Sequence, residues 1–259
     1  MAGNLEFDGV VLDIEGTVCP ISFVKEVLFP YFLRTLTSSL PTLWTLPQFS
    51  PYLSAFPPEH TASQSIFLAH IQSLVASDTK TAPLKNLQGY IWLSGYESGE
   101  LKCPLFADVL PAFRRWREQG KSIVIYSSGS VGAQKLLFRY TDCKTDGGED
   151  GEGDLTGFID GYFDTVNAGM KGEKGSYVKI FVAMKAGTGE GKVGKKVEDI
   201  SKWLFCSDRV EEVDAAREAG MQAVVVVREG NAALSEGDKE RHVLIESFDE
   251  IGAGSGKSR

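Results

Sequence analysis

Positive charge is in short supply in this sequence, and so are long apolar runs. The 27 lysine and arginine residues face 35 aspartate and glutamate residues, which leaves a formal net charge of −8. Because no basic surplus is available to meet phosphate groups, we expect neither a nucleic-acid partner nor attachment to an anionic membrane. The apolar stretches are also too short to cross a bilayer.

Cysteine and histidine are few and scattered. The four cysteines form no C-x-x-C pair, and the three histidines do not accompany them at zinc spacing. Free thiols are typical of a reducing compartment. We therefore expect a cytoplasmic protein, with the nucleus as a second location, and we expect a monomer.

What the sequence does contain is an alternation of strand and helix patterns. Short runs of β-branched and apolar residues predict buried parallel strands over 9–14, 122–126, 203–206 and 223–227. Amphipathic patterns predict helices over 108–119, 131–140 and 210–219. Such alternation is typical of an α/β fold whose parallel sheet is covered on both faces, and we predict a Rossmann-like hydrolase core.

The stretch between the first two predicted strands interrupts this alternation. It contains long helical patterns over 23–40 and 63–76, separated by a proline-rich span. We therefore predict an inserted helical cap domain over residues 22–99. The α/β core would then comprise residues 1–21 and 100–259.

Two low-complexity segments lie within the predicted core. Residues 145–154 and 187–196 are rich in glycine and charge, and nothing in them has the character of a packing surface. We expect flexible surface loops there and a disordered tail from Gly252.

Four polar clusters follow strand or loop ends at the predicted carboxyl edge of the sheet, where open α/β folds bind ligands. Singly, each has a structural explanation, such as a turn, a helix cap or a solvated lysine. Occurring together and in order, they predict one site. They are Asp13 with Glu15, Ser127 with Ser128, Lys171, and Asp208.

These residue types suit the hydrolysis of a phosphate ester. The carboxylate of Asp13 can attack phosphorus and form an acyl-phosphate, which divides one difficult step into two easier ones. Carboxylate and phosphate repel each other, so a divalent cation is needed between them. Mg²⁺ suits oxygen ligands, and Asp13 and Asp208 can hold it.

The remaining polar residues suit the phosphoryl group and the proton. A lysine, together with hydroxyl groups or amides at a helix start, stabilises the charge of the group in transfer. Ser127, Ser128 and Lys171 fit those roles, with Lys174 as an alternative lysine. Glu15 lies on the same side of an extended chain as Asp13 and could either protonate the leaving group or orient the metal and its water.

The ordered motifs resemble those of the haloacid dehalogenase-like hydrolases, and the helical insert resembles their cap. Most of that superfamily has Asp where this chain has Glu15. A narrower resemblance, to the acireductone synthase family of bifunctional enolase-phosphatases, covers residues 7–235 apart from the two glycine-rich segments. It is carried by DIEGTVCPISFVKEVLFPY, IWLSGYESGELKCPLF, YSSGSVGAQKLLF and VVVREGN.

This resemblance implies the chemistry in more detail. The expected substrate is 2,3-diketo-5-methylthiopentyl-1-phosphate, which is enolised and then dephosphorylated through an aspartyl-phosphate to acireductone (1,2-dihydroxy-3-keto-5-methylthiopentene) in L-methionine salvage. The resemblance places a magnesium site at Asp13, Glu15 and Asp208 and phosphate contacts at Ser127, Ser128 and Lys171.

Three questions stay open at this level. The sequence does not identify the base for enolisation, for which Glu15 and Lys171 are candidates. A capped phosphatase acting on another small phosphate ester would show the same core motifs. A phospho-acceptor signalling module also combines acids, a hydroxyl and a lysine, but such modules are shorter and have no large insert.

Overall fold

The computed structural model describes residues 5–143, 153–187 and 198–252. The chain forms two compact units, a core unit of residues 1–21 with 103–259 and a cap unit of residues 22–102. The predicted loops 145–154 and 187–196 and the tail lie almost entirely outside the described residues. Among the described residues, no helix has both the length and the apolar character that a membrane span needs.

The described residues of the core unit form one parallel sheet of six strands in the order β3-β2-β1-β4-β5-β6. This arrangement confirms the predicted α/β fold class. The short strands β3 and β6 were not predicted. The strands are β1 (Gly9–Leu12), β2 (Ser122–Tyr126), β3 (Gly161–Phe163), β4 (Trp203–Ser207), β5 (Gln222–Val226) and β6 (Leu244–Ile245).

Strand β1 lies at the centre of the sheet between β2 and β4. Leu12, its last residue, stands opposite Ile125 on one side and Cys206 on the other. All four residues of β1 are buried, as expected for a central parallel strand covered on both faces. The register therefore brings the carboxyl ends of β1, β2 and β4 side by side.

The cap unit is helical. Its chain enters through a π-helix (Phe23–Leu28) that continues into the first α-helix, so the predicted helix over 23–40 has an irregular first part. The side chain of Trp92 joins the two ends of the unit because its Nε1 donates to the Leu28 carbonyl at 2.9 Å. The α-helices are α1 (Phe29–Leu43), α2 (Ser50–Ser54), α3 (Gln64–Ala76) and α4 (Ala82–Glu97).

The cap unit extends to residue 102, beyond the boundary predicted at residue 99. Leu101 is buried, and its amide donates to the Gly95 carbonyl at 2.9 Å. This bond folds the chain back against the end of α4. The residues immediately after the helix therefore remain with the cap unit.

The helices of the core unit cover the sheet. Helix α5 buries Val109, Phe113 and Trp116, which the sequence pattern places on one stripe. Ser130 begins α6, where its side chain accepts from the Ala133 amide. The helices are α5 (Val109–Glu118), α6 (Val131–Arg139), α7 (Lys174–Ala186), α8 (Val210–Glu218) and α9 (Glu236–Arg241).

Candidate active site

Asp13 follows β1 directly and is only 5% exposed. Its backbone amide donates to the Cys206 carbonyl of β4 at 3.0 Å, which extends the hydrogen bonding between β1 and β4 by one residue. This bond fixes the backbone position from which the Asp13 side chain extends. One carboxylate oxygen, Oδ1, accepts from the Ile14 amide at 2.7 Å. The other, Oδ2, accepts from the Ser207 hydroxyl at 3.3 Å. A buried carboxylate is thus held in place by neighbouring strands.

Lys171 is the cation of this site. Its Nζ lies 2.6 Å from Asp13 Oδ1 and 2.6 Å from Glu212 Oε2. Burial alone lowers the pKa of Lys171, but the two carboxylates outweigh burial and the net shift of the pKa is upward. Lys171 is therefore a charged ammonium. The alternative lysine, Lys174, is the exposed first residue of α7.

Glu212 was not predicted as a site residue. It lies in the first turn of α8, and its carboxylate accepts from the Ser207 hydroxyl at 2.8 Å. Burial and the neighbouring Asp13 raise the pKa of Glu212. The sequence could have indicated it, because Glu212 lies four residues after Asp208, in the first turn of the helix that follows β4. Side chains in that turn lie near the carboxyl end of the strand.

Asp208 and Asn231 meet around Gly16. A Cβ placed on Gly16 would stand 2.8 Å from Asp208 Oδ2 and 2.7 Å from Asn231 Oδ1. Gly16 also has a φ of 71°, a conformation that favours glycine. The side-chain Nδ2 of Asn231 donates to the Gly16 carbonyl at 3.0 Å and to the Val226 carbonyl at 3.2 Å. The turn after β1 is thereby held against the ends of β4 and β5.

The charge balance of the site is negative. Burial, followed by the charges of Asp13 and Glu212, raises the pKa of Asp208 to about 7. Among the described residues, the carboxylates of Asp13, Asp208 and Glu212 face the ammonium of Lys171, with the charge of Arg209 also acting on Asp208. In addition, Asn231 Oδ1 is buried without a hydrogen-bond partner among the described residues. An excess of oxygen ligands and negative charge is the environment that a hard divalent cation stabilises.

The donor set fits Mg²⁺ by this reasoning. Within residues 5–143, 153–187 and 198–252, no three His, Cys, Asp or Glu side chains are already arranged around one metal position. Mg²⁺ usually needs only one or two protein carboxylates, with water and substrate oxygens completing its shell. Asp13 and Asp208 can supply these two.

The predicted serines lie at the end of β2, next to the end of β1. Ser127 is buried, its amide donates to the Phe163 carbonyl at 3.1 Å, and its hydroxyl accepts from the Gly129 amide at 3.2 Å. Ser128 is half-buried in the same turn. This turn leads into α6, where the Val131 amide donates to Asp164 Oδ2 at 3.1 Å and the Ala133 amide donates to Ser130 Oγ at 3.4 Å.

Glu15 lies in the turn after Asp13. It is half-buried, and its backbone forms an isolated bridge with Cys19. The chain thus leaves the extended conformation just after Asp13. In the structure Lys171 contacts both Asp13 and Glu212. The roles predicted for Asp13, Glu15, Asp208, Lys171 and the two serines stay predictions.

Comparison with known proteins identifies relatives across almost the whole chain, although a scan against family models found no match. "Enolase-phosphatase E1" of Botryotinia fuckeliana is 54% identical over 259 residues, which cover 97% of this chain and 96% of that protein. "Enolase-phosphatase E1" of Sclerotinia sclerotiorum is 54% identical over 255 residues, with coverage of 94% and 93%.

Solved structures agree with these relatives. The UTR4 protein of Saccharomyces cerevisiae superposes with a TM-score of 0.77 at 40% identity, covering 94% of this chain and 99% of that one. CbbY of Rhodobacter sphaeroides, at 14% identity and a TM-score of 0.55, shares the fold. The resemblance stated from the motifs is confirmed: the chain is a phosphatase that belongs to the enolase-phosphatase E1 family.

Proposed function

We propose that the protein converts 2,3-diketo-5-methylthiopentyl-1-phosphate into acireductone and inorganic phosphate, as a step of L-methionine salvage. The observation that carries the phosphatase half is the buried carboxylate of Asp13, which contacts the ammonium of Lys171 at 2.6 Å. The enolase half rests on the family to which the chain belongs.

The four cysteines are free thiols, which supports a cytoplasmic location as a further prediction.

In the first step of dephosphorylation, which follows enolisation, the carboxylate of Asp13 attacks phosphorus. A bond forms between a carboxylate oxygen and phosphorus, and the bond from phosphorus to the C1 oxygen of the substrate breaks. Glu15 donates a proton to that departing oxygen. Water then cleaves the aspartyl-phosphate, releases phosphate and restores the Asp13 carboxylate, while Glu15 takes back a proton.

Asp13 and Asp208 would hold Mg²⁺, with Glu15 as the third member that the family resemblance implies. The bound ion would screen the repulsion between carboxylate and phosphate and polarise phosphate oxygens. Burial, followed by the charges of Asp13 and Glu212, raises the pKa of Asp208, and a bound cation would offset this cost of keeping the carboxylates charged.

Lys171 would contact the phosphoryl group directly. An ammonium group has three N–H donors, and the carboxylates of Asp13 and Glu212 engage two of them. One donor remains for a phosphate oxygen. Ser127 and Ser128 would supply further contacts from the turn after β2.

Enolisation requires a base near the carbon next to the diketone. A base needs a free lone pair, whereas Lys171 is held as a cation by two carboxylates. Of the two residues considered, Glu15 is therefore the better proposal.

The proposal is tested by supplying the diketo phosphate with Mg²⁺ and following enol absorbance together with free phosphate. We expect a transient enol that precedes phosphate release. Phosphate release without an enol would contradict the enolase half and leave a capped phosphatase acting on a different small ester.

The Asp13→Asn variant tests the nucleophile in the same assay. We expect phosphate release to fall below detection, because an amide cannot form the acyl-phosphate. An unchanged rate of phosphate release would rule out Asp13 as the nucleophile.

A further inference from the structure

The loop that carries Lys171 is held by a row of three hydroxyl groups. Each hydroxyl donates to one of three consecutive backbone carbonyls. The contacts are Tyr126 Oη to the Gly169 carbonyl at 2.7 Å, Ser176 Oγ to the Met170 carbonyl at 2.7 Å, and Tyr177 Oη to the Lys171 carbonyl at 2.6 Å.

The three donors stand on regular structure. Tyr126 is the last residue of β2, and Ser176 and Tyr177 lie in the first turn of α7. Both tyrosines are fully buried, and their rings pack edge to face at 5.6 Å between centroids. Tyr177 also packs against Phe205 of β4 at 4.9 Å. The hydroxyls are therefore fixed relative to the sheet.

The hydroxyls can act only as protonated donors toward a carbonyl. Burial raises the pKa of Tyr126 to about 12 and raises the pKa of Tyr177 as well, so both stay protonated near neutral pH. The loop is shaped to receive them: Gly169 has a φ of 112°, and a Cβ there would stand 2.7 Å from Ser176 Oγ. Any larger residue would displace that hydroxyl.

The position of the Lys171 ammonium depends on how firmly the backbone of its loop is held. Lys171 Nζ must stay within hydrogen-bond distance of both Asp13 and Glu212. A lysine side chain has four rotatable bonds, so its backbone has to be fixed if the ammonium is to keep one position. The loop residues 169–171 contain no strand or helix that could do this.

We propose that Tyr177 is a positioning residue for phosphoryl transfer, whose hydroxyl, with those of Tyr126 and Ser176, fixes the backbone of Lys171 so that its ammonium reaches Asp13 and the phosphate. This inference rests on the proposed function in one respect, namely that Lys171 meets the substrate phosphate. The geometry of the loop itself can be tested without it.

The test compares Tyr177→Phe with Tyr162→Phe in the full chain. Tyr162 lies on β3, is also buried, and its hydroxyl has no hydrogen-bond partner among the described residues. Both changes remove one buried phenolic hydroxyl, but only the first releases a carbonyl of the lysine loop. Amide hydrogen exchange of residues 169–172 should become faster in Tyr177→Phe and remain at the wild-type rate in Tyr162→Phe.

The second measurement is the kcat/KM of both variants, with the diketo phosphate and with p-nitrophenyl phosphate as substrates. Loss of a buried hydrogen bond predicts a fall of about tenfold in kcat/KM for Tyr177→Phe, mainly in kcat. The Tyr162→Phe variant should stay within about twofold of the wild type. Unchanged exchange and unchanged kcat/KM in Tyr177→Phe would overturn the inference.

A double-mutant cycle separates positioning from a general structural effect. In a Lys171→Met background, the Tyr177→Phe change should have no further effect on kcat/KM, because the hydroxyl acts through the lysine. An undiminished further loss would show a merely structural role. If Tyr177→Phe does not fold, Ser176→Ala gives the same readings from the neighbouring carbonyl.

The two proposals fail in different ways. If the wild type hydrolyses p-nitrophenyl phosphate but not the diketo phosphate, the proposed substrate is wrong and Tyr177 is still judged on the ester that is hydrolysed. If neither ester is hydrolysed, the exchange rates alone decide whether the hydroxyl fixes the loop.

Discussion

The turn around Gly16 offers a sharp test of how the site is assembled. Substitution by alanine would place a Cβ 2.8 Å from Asp208 Oδ2 and 2.7 Å from Asn231 Oδ1, whereas ordinary contact begins at 3.4 Å. The difference, 3.4 − 2.8, requires Asp208 Oδ2 to retreat by about 0.6 Å. Neither oxygen belongs to the far end of a long side chain, so the carboxylate and the turn have to move together.

The magnitude follows from two separate effects. The left-handed backbone at Gly16 costs an alanine about 1 kcal/mol in free energy of folding, and crowding adds about 1–3 kcal/mol. For activity, a displacement of about 1 Å in a catalytic group can lower the rate about a hundredfold, so we expect kcat/KM of Gly16→Ala to fall about tenfold or more.

Gly120→Ala is the matched control. Gly120 also has a φ of 71°, but nothing lies within 4 Å of the position that its Cβ would take. It should lose about 1 kcal/mol, seen as a drop in Tm of about 2–4 °C, and should keep the wild-type kcat/KM. Phosphate release and thermal unfolding are measured on both variants. Equal kcat/KM in the two would refute the crowding of Asp208.

Two further predictions concern charged side chains. Lys171→Met should lower kcat about a hundredfold or more, since it removes a donor to the transferring phosphoryl group, whereas exposed Lys174→Met should keep kcat within about twofold; equal losses would refute the assignment of the lysine. Asp108→Ala should cost about 3–5 kcal/mol of unfolding free energy, because it leaves the buried Arg228 guanidinium, 2.8 Å away, unpaired. Glu100→Ala, which breaks an exposed pair, should cost less than about 1 kcal/mol in the same urea titration, and a similar cost for both would contradict this reasoning.

The central strands could be predicted because burial on both faces leaves a plain signal. Strand β2 has the bounds predicted from its run of apolar residues. Strand β4 ends one residue later than predicted, and β5 begins and ends one residue earlier. Strands β3 and β6 have only three and two residues. Runs of that length carry no period, so they form in response to neighbouring strands and cannot be recognised locally.

Helix α4 of the cap unit was missed for a related reason. Two glycines, Gly89 and Gly95, interrupt its sequence and weaken the helical pattern. In the structure, a Cβ on Gly95 would stand 2.6 Å from Tyr31 Cζ, so this glycine lets α1 and α4 approach each other. A residue that lowers helix propensity is therefore retained for packing, which a local pattern cannot reveal.

The acidic part of the site was only half predictable. Asp13 and Asp208 follow adjacent parallel strands, so strand order alone brings them together. Glu212 was not predicted as a site residue because its position is explained without a site: an acid in the first helical turn interacts favourably with the helix dipole. Only the contact with Lys171 at 2.6 Å shows that it also neutralises a buried ammonium.

The choice between Lys171 and Lys174 shows what decides such a site physically. Both lysines follow the same loop, and spacing favours neither. Lys174 is the exposed first residue of α7. The backbone at Met170 and Lys171, by contrast, is held by hydrogen bonds from the Ser176 and Tyr177 hydroxyls of the same helix. These residues carry no catalytic signature of their own. The buried lysine is selected by backbone hydrogen bonds, and a variant that weakens those bonds should weaken the site without changing any charged residue.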